Sequence, residues 1–143
     1  MLIVLDSNII CSNFYMEGPS LEVAQRVGTI VLGQIVVDEV CNKFKENLVE
    51  LETKVNNTIQ DLNKLLADSP ISWNEIDVAD RCNKYKDFLE MFIIESGMTV
   101  AEDYPEASHK DIVQRALRRK KPFKADGSTG YRDYLVWLLS YQR

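Results

Sequence analysis

Histidine occurs once in this sequence, at His109, and the three cysteines, Cys11, Cys41 and Cys82, stand far apart. No cysteine pair has zinc-knuckle spacing. No Ser/His/Asp or Cys/His set is assembled around His109, which reads as a surface helix residue. An odd number of widely spaced thiols reads as reduced core filler in a cytoplasmic protein. No apolar run approaches the ~20 residues of a membrane helix. The first residues lack the basic leader of a signal peptide, and their apolar run breaks at Asp6. There is no P-loop, and the Gly-rich loop at 127–130 lacks GxGxxG spacing. A net charge of −5 excludes a uniformly basic nucleic-acid coat but leaves room for a local basic patch. With 143 residues and 45% hydrophobic content, the chain fits one domain, 1–143, with a real core.

What is present alternates between short apolar runs and helical periodicity. Residues 2–5 read as a strand buried on both faces. Ser20 is expected to cap a helix over 21–28 with Leu21, Ala24 and Val27 inward. A second strand, Ile30 to Leu32, breaks at Gly33. Val37, Val40, Phe44, Leu48, Leu51, Val55, Ile59, Leu62 and Leu66 then recur every three or four residues, predicting a helix of about eight turns. Pro70 breaks it. A second helix is expected from Asn74 to Glu95, with Ile76, Ala79, Tyr85, Leu89, Phe92 and Ile93 as its stripe. The two should pair as an antiparallel hairpin over about 39–95. A third short strand at 97–103, a helix capped by Ser108 and ending before Pro122, and a last helix from Tyr131 complete the pattern. The alternation argues for an α/β fold with a small parallel sheet flanked by helices.

Three acids stand where such a sheet places its functional crevice, at the carboxyl ends of the strands. Asp6 ends the first strand, Glu39 follows the second on the first turn of the long helix, and Asp133 lies on the first turn of the last helix. Each alone could be structural, as a turn cap or a helix-dipole partner. Converged, the three would repel one another and raise each other's pKa. A divalent cation removes that cost, and an all-oxygen ligand set suits Mg²⁺ or Mn²⁺. Such a centre is common equipment for phosphodiester hydrolysis. Asp38 should point to another face of the helix. An Asp-x-Asp phosphotransfer motif is excluded because position 8 is Asn.

"IVLDSN" resembles the opening strand of PIN-domain nucleases, and "GQIVVDEV" resembles the family's strand-to-helix second motif, although the family often has Pro where Gly33 stands. "RRKKPFKADGSTGYRDYLVW" is similar to a bacterial PIN-like branch with Lys-Pro-Phe, a loop, then Gly-x-x-Asp opening a helix that ends in Trp. The resemblance implies that Asp6, Glu39 and Asp133 are catalytic metal ligands. It implies that Asn8 braces the Asp6 loop and that Ser7 is a hydrogen-bond partner in the site. PIN domains normally continue into another strand bearing a further acid group, and the sequence stops at Arg143 before it. The readings are a fragment or shortened protein without that strand, or a further ligand from elsewhere, with Asp126 as the nearest internal substitute.

Arg115, Arg118, Arg119, Lys120, Lys121 and Lys124 form the one obvious phosphate-binding segment, with Arg132 and Tyr131 adding backbone or stacking contacts. The resulting expectation is a divalent-metal-dependent nuclease acting on single-stranded RNA or another nucleic acid. Two alternatives stand beside it: a catalytically inactive PIN-like module that binds a protein through the 39–95 hairpin, and a nuclease for structured DNA. An antitoxin or other protein partner and a homodimer are compatible with either class; a membrane partner is not expected.

Overall fold

A computed structural model of the chain describes residues 1–66, 68–101, 108–118, 120–123 and 130–141. Arg119, Lys124 and Asp126, with most of the Gly-rich loop, lie outside these residues. The elements run β1 (Leu2–Val4), α1 (Ser7–Cys11), α2 (Pro19–Val27), β2 (Thr29–Gly33), α3 (Gln34–Leu65), α4 (Val78–Glu95), β3 (Thr99–Ala101), α5 (His109–Leu117) and α6 (Tyr131–Tyr141). The fold is α/β, with a three-stranded parallel sheet in the order β1-β2-β3 among the described residues.

The central strand explains its own sequence. Ile30 and Leu32 face one side, where they pack with Ile10, Val36, Val40, Tyr85 and Leu89. Val31 faces the other side and packs with Ala101 and Leu139. Both faces are covered, so the strand is continuously apolar rather than alternating. A third cluster, Ile112, Phe123 and Tyr134, ties α5 and the 120–123 turn to α6.

Several boundaries differ from the sequence expectation. α2 starts at Pro19 behind a Gly18 N-cap, not behind Ser20. Proline is favoured at the first helical position because its missing N–H would be unpaired there anyway. Val27 is exposed rather than inward. α3 begins directly after β2, so Glu39 lies in its second turn, not its first. Burial of Val36, Val37 and Val40 outweighs the modest helix penalty of β-branched residues and draws the helix start back to the strand.

α4 begins at Val78 rather than Asn74, because Asp77 is the working cap and accepts a hydrogen bond from the Asp80 backbone N–H at 2.9 Å. Before it, the Asn63 amide exchanges two hydrogen bonds with Ile71, at 2.9 and 2.7 Å. Glu52 Oε1 accepts from the Ile76 N–H at 2.7 Å, so residues 71–76 lie along α3 without forming a helix. At the far end, Gly97 (φ 65°) closes α4 in the left-handed conformation, and the Met98 N–H returns to the Ile93 carbonyl at 3.0 Å.

The hairpin forms, but α3 is much longer than α4: 32 residues against 18. Its base is tightly packed around Tyr85, whose ring stacks on Phe44 at 4.0 Å and whose hydroxyl donates to the Phe14 carbonyl at 3.0 Å. Burial pushes the Tyr85 phenol far above its usual pKa. Farther out, Leu48, Glu52, Val55 and Ile59 form the half-buried face of α3, and Leu51, expected inward, lies beside that face and is 59% exposed. Leu89→Ala should therefore cost ~2–5 kcal/mol in a denaturant melt. Leu51→Ala should stay within about ±0.5 kcal/mol. Equal losses would show that Leu51 also faces a packed seam.

Candidate metal and phosphodiester site

Asp6 follows the end of β1 and stands at the N-cap of α1. Its side chain makes no capping hydrogen bond, so the turn-cap role that Asp often plays is not the one it has here. Instead its carboxylate faces other side chains. Asn8 Nδ2 donates to Oδ2 at 3.0 Å. Ser7 is the buried polar residue beside it, 4% exposed. Its hydroxyl lies 2.9 Å from Glu39 Oε2 and 3.3 Å from Asp6 Oδ1. One hydroxyl hydrogen serves only one acceptor at a time. Ser7 therefore stands between two carboxylates from different elements and can donate to either, with the shorter contact to Glu39.

The second oxygen of Glu39 accepts from Arg132 Nη1 in an ion pair between α3 and the first turn of α6. Arg132, expected to contact nucleic acid, thus faces an acid of the site. Its neighbour Asp133 lines a cleft of about 350 Å³ together with Val4, Asp6, Pro122, Val136 and Trp137. Asp133, Val136 and Trp137 are spaced i, i+3 and i+4, so one face of α6 walls the cleft. That spacing was readable in the sequence and identifies Trp137 as a site residue that the acid pattern alone had missed. Asp38 is exposed and accepts from Gln34 Nε2 at 2.8 Å; it lines a different groove, between α3 and α4.

The start of α6 depends on Gly130. Its φ is 118°, and a Cβ there would stand 2.7 Å from the Pro122 carbonyl oxygen and 2.8 Å from the Phe123 Cα. The Gly130 carbonyl accepts from the Tyr134 N–H at 2.9 Å to open the helix. Close contact with the Pro122–Phe123 turn thus sets where Arg132 and Asp133 stand. Gly130→Ala should lower stability by ~1–3 kcal/mol, the usual cost of a strained backbone position, checked by thermal melt; an unchanged melt would show that this contact does not position α6.

The basic segment divides. Arg115 is half-buried: its Nε donates to the Lys121 carbonyl at 3.0 Å, and its guanidinium lies 4.6 Å from the Trp137 ring centroid. It holds α5, the turn and α6 together. Arg118, Lys120 and Lys121 are exposed, and Arg118 and Lys120 line a polar cavity of about 320 Å³ with Arg115 and Tyr134. Burial, followed by the nearby charge of Glu39, raises the thiol pKa of Cys11, which disfavours its thiolate.

The donor chemistry fits a hard divalent cation: the acids offer only oxygens. Among the described residues, no three of His, Cys, Asp and Glu are gathered closely enough to hold one ion. Asp6 and Glu39 are joined through Ser7, and Asp133 lines the same cleft as Asp6. Mg²⁺ commonly keeps several waters and takes one or two carboxylates plus substrate phosphate.

The family described as PIN domain matches residues 3–142. The chain belongs to the PIN-domain family, whose members are generally nucleases that act on nucleic acid and typically use divalent metals. No curated protein and no solved structure matches it. Among the described residues, no helix is long and apolar enough to cross a membrane.

Proposed function

We propose that this protein is a divalent-metal-dependent endoribonuclease that hydrolyses single-stranded RNA at the Asp6–Glu39–Asp133 cleft. The observation that carries the reading is the pair of carboxylates, Asp6 and Glu39, joined through the buried Ser7 hydroxyl beside a cleft that Asp133 also lines. Asp6, Glu39 and Asp133 would hold Mg²⁺ or Mn²⁺, and such an ion, when bound, activates water and stabilises the leaving oxygen. Ser7 fixes the relative placement of two ligands, and Asn8 holds the orientation of the Asp6 carboxylate. Arg118, Lys120 and Lys121 supply positive charge for the RNA backbone from the 118–123 side. The test is incubation of the full chain with labelled single-stranded RNA and Mn²⁺, with and without EDTA. Cleavage that EDTA abolishes is expected. No cleavage of RNA, with cutting of structured DNA under the same conditions, would transfer the site to the DNA reading.

A second reading has its own observation. Leu51, Leu65 and Trp73 on the outer hairpin are exposed, which suits a PIN-like module that binds a protein partner there. It predicts no metal-dependent cleavage of any nucleic acid.

Ser7→Ala separates site support from simple burial. Orienting groups around metal ligands are commonly worth 10–100-fold in activity or metal affinity, so a loss of roughly that size is expected. Stability should change by only about 1 kcal/mol, the scale of one hydrogen bond. Full activity in Ser7→Ala would show that the acids need no bridge.

A further inference from the structure

Both oxygens of Glu39 are already engaged, one by Ser7 and the other by Arg132. A divalent ion bound at the Arg132-facing oxygen would meet a like charge. The two partners differ in freedom: the Arg132 side chain is 63% exposed, whereas that of Glu39 is 20% exposed. The acid is therefore the fixed partner and the guanidinium the one able to leave. Lys43, one helical turn beyond Glu39, is paired with Glu46 at 2.6 Å.

We propose that Arg132 is an exchangeable counter-ion. It neutralises Glu39 in the metal-free protein, gives way when the metal binds, and then takes a phosphate of the substrate at the cleft mouth. The inference rests on the nuclease reading and deepens it, because it makes metal loading and phosphodiester binding cooperative through one residue. The chemistry favours the transfer. A guanidinium fork pairs with phosphate as readily as with carboxylate. Arg132 also precedes Asp133, so the first turn of α6 carries both the counter-ion and a proposed ligand. Coupling of this kind must be reciprocal: substrate phosphate should favour metal binding as much as metal favours substrate.

The experiment compares wild type, Arg132→Gln and Arg132→Lys as full chains. Calorimetry gives the Mn²⁺ affinity of each. Fluorescence anisotropy gives the affinity for a phosphorothioate single-stranded oligoribonucleotide, with and without Mn²⁺, the probe being checked as intact afterwards. Arg132→Gln should bind Mn²⁺ about two- to tenfold more tightly, the scale of losing one partly exposed ion pair beside a cation. The factor by which Mn²⁺ strengthens oligonucleotide binding should be at least ~threefold smaller than in wild type, with Arg132→Lys between the two. Equal or weaker Mn²⁺ binding in Arg132→Gln, or an unchanged strengthening factor, overturns the exchange while leaving the nuclease reading intact. Wild type that binds no Mn²⁺ at millimolar concentration overturns the nuclease reading and the exchange with it. Should Arg132→Gln melt below wild type, Arg132→Lys carries the test alone, and it must then show the same two trends.

Discussion

Asp6→Asn is expected to slow hydrolysis of single-stranded RNA by on the order of 10²–10³-fold or more, the scale of removing one preorganised charge-stabilising group. The change keeps the shape and the acceptor oxygen and removes the charge. Metal-free stability should be equal to wild type or slightly higher. Asp6 makes no capping bond to lose, and it shares the site with two other acids, of which Glu39 is ion-paired with Arg132. The Asn8 bond is exposed and contributes little to the fold. Glu39→Gln should be equally inactive, although it also releases Arg132. A thermal melt beside the activity assay separates the alternatives. A variant that is inactive and melts well below wild type without metal would make Asp6 a structural residue.

Replacing Arg118, Arg119, Lys120 and Lys121 together by Ala is expected to weaken RNA binding on all sequences alike. The log–log salt slope should flatten by ~0.7 per lost phosphate contact, so by ~3 if all four engage the backbone. Arg115 is left in place because it binds the Lys121 carbonyl and packs on Trp137; its removal would disturb the α5–α6 junction and confound the measurement. An anisotropy titration across salt concentrations checks the slope. An unchanged slope would return the segment to an ordinary solvated surface.

Strand and helix existence was legible in the chain because burial leaves periodic marks. β2 is covered on both faces and reads as a continuous apolar run; the hairpin base reads as a three-to-four repeat. Boundaries were less legible where two signals competed. Asn74 and Asp77 are both good caps, and only the tertiary bond from Ile76 to Glu52 decides between them. Leu51 shows the same limit: its spacing is that of a core residue, but the covered face of α3 runs through Leu48, Glu52, Val55 and Ile59, so Leu51 falls beside it, a register that only the packing against residues 71–76 and α4 sets. In the site, Asp6 follows the end of β1, whereas Asp133 reaches the same cleft from the first turn of α6. The Glu39–Arg132 pair spans 93 positions, and nothing local in the sequence marks it. The packing role of Arg115 was hidden for a related reason. A guanidinium in a basic run looks like a phosphate contact until its aromatic neighbours, one helix away, are known.

The central claim is that Asp6 and Glu39, with Asp133, hold one divalent cation, and calorimetric titration of Mn²⁺ into the full chain tests it most directly. The control is Asp38→Asn, which removes an acid next to Glu39 in sequence but on a different groove. The account predicts one saturable site in wild type and in Asp38→Asn, lost in Asp6→Asn, Glu39→Gln and Asp133→Asn. Saturable binding should also raise the wild-type melting temperature as ligand linkage requires. Wild type without binding at millimolar Mn²⁺, or binding that survives in Asp6→Asn and Glu39→Gln, would contradict it.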